Sequence, residues 1–334
     1  MRAGIFGAGS VGCYAGGMLA AAGRHPVLVG RPALRERLSN GIVVTSHDGK
    51  QSIAAPGTFE FDARAQALED CDCVFVCVKS GDTAAAGKAL APVLKPGTTV
   101  VSLQNGISNA AALASALPGM KVLAGMGGFN IAQIGANRFH RGTEGEIAIA
   151  DGKGALQAAA MLTAAGVPAM VRRDFEAVQW GKLLLNLNNA VNALSGLPLK
   201  RQLSDLRWRK VLAASMREAL SVLDAARIRP ARLGKVAPRY IPFVLELPDW
   251  LFLRLAATML KVDDDARSSM AEDLERGRTP EIDWLNGEIA RLGAANGVAT
   301  PVNDAIIAMV RELFAGKPTR HPAPEDVLAR IGLP

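Results

Sequence analysis

In the first half of the chain short apolar runs alternate with stretches of helical periodicity, and in the second half the runs give way to helical periodicity alone. Residues 1–6, 25–30, 73–78, 98–103, 121–126, 145–149 and 168–171 read as strands, and 13–22, 33–39, 63–69, 83–94 and 153–165 as helices. Between them, 41–62 is polar and turn-rich, with room for short edge strands. Such alternation is what a parallel sheet with crossover helices requires. After Asp174, a plausible N-cap, only long helices are predicted. The pattern therefore predicts an α/β chain: an N-terminal Rossmann-type parallel sheet over 1–173 and a C-terminal all-α domain over 174–334.

The first strand runs straight into Gly7-Ala8-Gly9-Ser10-Val11-Gly12 and a helix of small residues, the setting of a dinucleotide-binding turn. In that reading Gly7 permits the tight turn, Gly9 lets the backbone touch the pyrophosphate, and Gly12 lets helix and sheet approach closely. Amides at the helix start would hold the phosphates. The end of the second strand usually carries an acid for the ribose hydroxyls of NAD, but this chain has Gly30 and Arg31. A guanidinium there pairs with phosphate oxygens, and Arg35 and Arg37 add positive potential, so NADP(H) is the expected cofactor. Ligands of open α/β sheets bind beyond the carboxyl ends of the strands, which brings Lys79 and Asn105 to the cofactor cleft. Their alternatives are a surface lysine and a helix cap.

At 334 residues two domains are expected. The net charge of +7 is spread along the chain without a basic block, which speaks against nucleic acid and suits an anionic small substrate. Cys13, Cys71, Cys73 and Cys77 have no histidine at ligand spacing, so they read as buried thiols of a reducing compartment, with no metal. The most apolar later stretch, 238–260, is broken by Arg239, Glu246, Asp249, Arg254 and three prolines and cannot span a membrane. The first strand begins at once and leaves no room for a signal peptide, so a cytoplasmic protein is expected. Its 241–260 part is a candidate for a lid or for the face of a homodimer.

Polar residues interrupt a Leu-rich helix at Lys182, Asn186, Asn188, Asn189 and Asn192. At about 100° per residue Asn186 lies roughly 40° to one side of Lys182 and Asn189 roughly 20° to the other, so the three share one stripe. Burying them is costly unless something polar meets them, either a wet cleft or another helix. A second polar segment holds Ser268 and Ser269, then Thr279-Pro280-Glu281-Ile282-Asp283. There Thr279 suits a cap, Pro280 a first helical position, and Glu281 and Asp283 a first turn. Capping suffices to account for Glu281, and a cleft-facing role stays open beside it.

Four elements, in this order and spacing, are Gly7-Ala8-Gly9-Ser10-Val11-Gly12, Gln104-Asn105-Gly106, Trp180-x-Lys182-x-x-x-Asn186, and Ser268-Ser269-Met270 with Glu281-Ile282-Asp283. Together they span nearly the whole chain and resemble the ketopantoate reductase (2-dehydropantoate 2-reductase) family. The resemblance implies an NADPH-dependent reduction of a 2-oxo acid, as in pantothenate biosynthesis, with the substrate in a cleft against the helical domain. It implies Lys182 as proton donor, Asn105 and Asn186 orienting substrate and cofactor, Ser269 on the substrate carboxylate, and Glu281 on a substrate hydroxyl or the cofactor ribose. The chain departs from the family pattern at Ala190 and Lys200, where asparagines are usual, and at Met126-Gly127-Gly128-Phe129-Asn130. Asn189 or Asn192 then supplies the missing amide, or the pocket takes a different 2-oxo acid. Rival readings are a 2-hydroxyacid or opine-type dehydrogenase on the same plan, and a non-catalytic NADP(H)-sensing protein.

Overall fold

Twelve strands follow one another in the first half of the computed structural model: β1 (Ala3–Phe6), β2 (Val27–Val29), β3 (Ile42–Ser46), β4 (Gln51–Ala54), β5 (Glu60–Asp62), β6 (Cys73–Val76), β7 (Thr99–Leu103), β8 (Lys121–Gly127), β9 (Ile131–Gln133), β10 (Arg138–Arg141), β11 (Ile147–Ala150) and β12 (Ala169–Arg172). Residues 1–256, 266–316 and 320–334 are described, and they divide into two units, Met1–Phe175 and Glu176–Pro334. In the first unit eight strands form a sheet in the order β12-β11-β8-β7-β6-β1-β2-β5. All its neighbours are parallel except β8 and β11. Both faces are covered, which is why its central strands read as continuous apolar runs. On β6, Cys73 and Phe75 join one core cluster while Val74 and Val76 join the other.

The helices of this unit are α1 (Ser10–Ala21), α2 (Ala33–Arg37), α3 (Thr83–Leu90), α4 (Asn109–Ala116) and α5 (Ala155–Ala164). A second, four-stranded sheet, β4-β3-β10-β9, lies against α1. The 41–62 segment thus supplies more than edge strands. Only β5 extends the main sheet, while β3 pairs with β4 on one side and on the other with β10, some ninety residues further on. Strands β9 and β10 escape sequence reading because each is only three or four residues long and carries polar residues among its apolar ones. The α1 helix is enclosed from both sides, its Cys13, Tyr14 and Leu19 packing with Ile5 and Leu28 of one sheet and Ile42, Val44 and Phe139 of the other. A Cβ on Gly17 would stand 2.7 Å from Ile42 Cγ2, so the helix is rich in small residues because sheets approach it on two sides. The cysteines belong to this packing: burial pushes the thiols of Cys13 and Cys73 up to about 12 and that of Cys71 to about 11.

The second unit is helical: α6 (Phe175–Asn186), α7 (Asn188–Ser195), α8 (Leu199–Ser204), α9 (Leu206–Ala225), α10 (Ile241–Leu245), α11 (Asp249–Ala256), α12 (Ser269–Glu275), α13 (Asn286–Ala295), α14 (Pro301–Phe314) and α15 (Pro324–Arg330). Asp205 caps the long α9, accepting from the Arg207 amide at 2.9 Å. On α9 the fully buried Arg209 donates to the carbonyls of Leu203, Leu245 and Leu247 and to Asp249, and stacks on Phe252. One side chain therefore fastens α10 and α11, the described part of the apolar 241–260 stretch; 257–265 lie outside the described residues. Outward from these helices Phe243 and Trp250 are exposed. Among the described residues no helix is long and apolar enough to cross a membrane.

Candidate functional site

In the first unit each glycine of the turn has a measurable reason. Gly7 has φ +104°, in the region that favours glycine. A Cβ on Gly12 would stand 2.2 Å from Gly7 O, so the helix can start against the strand only without one. A Cβ on Gly9 would meet no protein atom within 4 Å, so Gly9 faces open space. The amides of Gly7 and Ala8 donate to Val29 O, and that of Gly9 to Gly7 O, which straps the turn to the end of β2. Among the described residues the amides of Ser10, Val11 and Gly12 make no such bond, and Gly9 adds no capping side chain. Three N–H groups at the positive end of a twelve-residue helix are thus left to an anion. A pyrophosphate fits this cradle. Arg31 stands exposed just past β2.

Lys79 ends the loop after β6, and Asn105 follows β7, its neighbour in the sheet. A buried polar network stitches the two loops. The Ser80 hydroxyl donates to Asn105 O (3.0 Å) and accepts from Asn109 Nδ2 (3.2 Å), and Thr83 donates to Asn109 Oδ1 (2.7 Å). Gln104 Nε2 donates to Thr83 (2.7 Å), and Ser102 donates to Gln104 Oε1 (2.8 Å). These five residues position Lys79 and Asn105; the sequence pattern marks only Gln104 among them, as part of the Gln104-Asn105-Gly106 turn, and gives it no role. Their only signal is a run of hydroxyls and amides at the ends of two apolar strands.

In the second unit Lys182 and Asn186 stand one turn apart on α6. The continuous helix expected through Asn192 breaks at Leu187, although Leu187 stays helical in φ and ψ and its amide is shared between Leu183 O and Leu184 O. The stripe drawn through Asn189 therefore crosses a junction. Asn189 is nonetheless brought to another candidate site residue, its Nδ2 donating to Ser269 Oγ at 3.4 Å. The neighbouring amides are structural. Asn192 is fully buried, donating to Leu197 O (2.9 Å) and accepting from the Ser268 amide (2.9 Å), and Asn188 accepts from Gln202 (3.1 Å). Ser268 caps α12, which leaves the exposed Ser269 as the serine open to a ligand. Ala190 is fully buried, so no open subsite stands at that departure from the family pattern.

Lys182 is half-buried, and burial lowers the pKa of its ammonium. Among the described residues no carboxylate pairs with it, so it is not joined to Glu281. Glu281 is also not in a first helical turn: it precedes the short turn Ile282–Trp284, caps nothing with its side chain, and α13 begins only at Asn286. The backbone of Leu285, at φ −116° and ψ −93°, interrupts the helix that Thr279 and Pro280 were expected to start.

The first unit matches the family model described as Ketopantoate reductase PanE/ApbA over residues 3–154, and the second matches that family's C-terminal model over 174–314. The chain is similar to the 2-dehydropantoate 2-reductase of Halobacterium salinarum, at 28% identity over 319 residues covering 93% of this chain and 98% of that one. It is similar to the crystal structure of a PanE/ApbA family ketopantoate reductase from Ralstonia eutropha, at 31% identity and a TM-score of 0.80, covering 96% of this chain and all of that one. A D-mandelate dehydrogenase solved with NADH and anilino(oxo)acetate shares the fold at 20% identity and a TM-score of 0.75, over 95% and 99% of the two chains.

Proposed function

The chain belongs to the ketopantoate reductase family, and from that premise we propose that it reduces 2-dehydropantoate to pantoate with NADPH, Lys182 donating the proton. The observation that carries the reading is the state of Lys182: a half-buried ammonium, lowered in pKa by burial and paired with no carboxylate among the described residues. A lowered pKa makes an ammonium a better acid, and a missing counter-charge leaves it for the substrate. NADPH, when bound, supplies the hydride. As the ketone carbon becomes tetrahedral its oxygen gathers negative charge, which the Lys182 Nζ stabilises and then protonates. Asn186, one turn along, and Asn105 orient substrate and cofactor, Ser269 takes the substrate carboxylate, and Glu281 takes a hydroxyl of substrate or ribose.

Asn189 is the residue that replaces the family amide missing at Ala190, because its amide reaches Ser269 whereas that of Asn192 is spent inside the unit. Nucleotide recognition rests on the amides of Ser10, Val11 and Gly12, with Lys79 on the cofactor and Arg31 on the 2′-phosphate of NADP(H).

The test is a panel of 2-oxo acids, 2-dehydropantoate among them, with NADPH and NADH, read as loss of nicotinamide absorbance. We expect 2-dehydropantoate to be the best substrate and NADPH to be favoured at least about tenfold, which corresponds to about 1.4 kcal/mol and is within reach of one charge-assisted contact. Arg31→Ala narrows that gap mainly by weakening NADPH. Preference for a 2-oxo acid lacking the hydroxyl would move the chain to a neighbouring dehydrogenase activity, and no turnover of any 2-oxo acid would overturn the reading.

A further inference from the structure

The end of β2 is closed to an acidic side chain by packing. A Cβ on Gly30 would stand 2.7 Å from Ala8 Cβ and 3.3 Å from Phe61 Cε2, so Gly30 is wedged between the glycine-rich turn and the Phe61 ring. The Gly30 amide donates to Asp62 O (3.1 Å), and Val29 pairs with Asp62 in the sheet, so Phe61 is a fixed neighbour. The one carboxylate at the end of β5, that of Asp62, is already taken. Arg64 donates to it from its amide (2.8 Å) and from its guanidinium (3.3 Å), which holds the Asp62 carboxyl down at about 2.

Two cations remain. Arg2 and Arg64 pair with Glu60 and Asp62, whereas neither Arg31 nor Arg35 is paired with a carboxylate among the described residues. Arg35, on α2, holds its guanidinium over the Phe61 ring, 5.5 Å from the centroid. The ring that packs against Gly30 is thus the ring that carries Arg35. Stacking uses the face of a guanidinium and leaves its N–H edge to donate, and an arginine already parked on a ring loses less rotamer freedom when an anion arrives. A ribose 2′-phosphate carries nearly two negative charges and is better matched by two guanidiniums than by one.

We propose that Arg35, held on Phe61, is the second cation of the 2′-phosphate subsite and acts with Arg31 to set the preference for NADP(H). This rests on the NADP(H) reading above and adds to it the residue that completes the subsite and the ring that aims it. Positions 8, 30 and 61 then form the wall, and positions 31 and 35 the charge.

Calorimetric titration of the whole chain with 2′,5′-ADP and with 5′-ADP tests it without turnover. Wild type is expected to bind 2′,5′-ADP at least about tenfold more tightly than 5′-ADP. Arg35→Ala should weaken 2′,5′-ADP about five- to tenfold and leave 5′-ADP within about twofold, the loss shrinking as salt is raised. Phe61→Leu keeps the charge and removes the ring, and should weaken 2′,5′-ADP about threefold, with thermal melting run beside it to show an intact fold. If Arg31→Ala weakens 2′,5′-ADP while Arg35→Ala leaves it unchanged, Arg35 is a surface charge and the proposal falls alone. If wild type binds the two ligands equally, the NADP(H) reading falls and this one with it.

Discussion

The glycine-rich turn of the first unit and the α6–α7 pair of the second assemble their functional groups in opposite ways. The turn works by what is missing: no Cβ at Gly9, none at Gly12, and amides of Ser10, Val11 and Gly12 that no neighbour among the described residues claims. The helix pair works by side chains set into an apolar scaffold, and there one residue type does two jobs. Asn189 reaches Ser269, while Asn188 and Asn192 are absorbed in holding α7 to α8 and α12. A backbone site can be read as a string of letters, because only glycine satisfies the geometry. A side-chain site becomes legible only when each group's partners are known.

The largest effect should come from the side-chain half. Lys182→Met is expected to lower kcat by about 10² or more while leaving the Kd for NADPH within about twofold. Wild-type reduction should also decline as pH rises through the lowered pKa of Lys182, because the proton to be donated is lost. The same substitution should stabilise. Between its folded pKa and the ordinary 10.5 the unfolded chain holds more protons at this position, so the penalty is complete below the folded pKa and disappears towards 10.5. A melting temperature raised by about 1–3 °C at neutral pH, with the gain fading in alkali, is the signature. A stable variant with normal turnover would return Lys182 to the scaffold.

The backbone half separates into two glycines with opposite phenotypes. Gly12→Ala forces a methyl group against Gly7 O and should destabilise the unit by about 1–3 kcal/mol, seen as earlier melting with or without nucleotide. Gly9→Ala meets no protein atom and should melt within about 1 °C of wild type, yet weaken NADPH about tenfold in a fluorescence titration. Equal losses of stability in both would dissolve the distinction between a packing glycine and a ligand-facing one.

The smallest contrast is between two asparagines. Asn189→Ala should raise KM for 2-dehydropantoate about tenfold with an unchanged melting temperature, the scale of one hydrogen bond lost to a ligand. Asn192→Ala should lower the melting temperature and leave the KM of the folded fraction alone, since it strips partners from the Ser268 amide and Leu197 O. Exchanged phenotypes would reverse their assignments.

Much of the scaffold was legible in the sequence, and what was not has specific causes. Apolar runs mark seven of the eight main-sheet strands, all but the polar edge strand β5, because both faces of that sheet are covered. The second sheet was hidden, since β3 finds β10 far along the chain and no local pattern reports a distant partner. Helix α4 was passed over because its run of alanines has almost no periodicity, only Asn109 and Leu113 being buried. At the glycine-rich turn, the motif alone predicts the tight turn at Gly7 and the close approach of helix and strand at Gly12, and the backbone has both. The Ser80–Thr83–Asn109 network was missed because polar residues at strand ends look like ordinary loop until they are found buried. Glu281 was misread as belonging to a helical first turn because Thr-Pro-Glu is a strong start signal, which the backbone at Leu285 overrides.

The enclosure of α1 has a consequence for how the chain is made. Its outer cover depends on β10, which ends at Arg141, and on Phe139, fully buried in the shared core. A ribosome that has delivered only the first hundred residues has released the glycine-rich turn with β3 and β4, but not β10 and β9, which complete the layer over its helix. Nascent chains shorter than about 140 residues should therefore expose the apolar outer flank of α1 and rely on chaperones, so the first site written in the sequence is among the last to be completed in time.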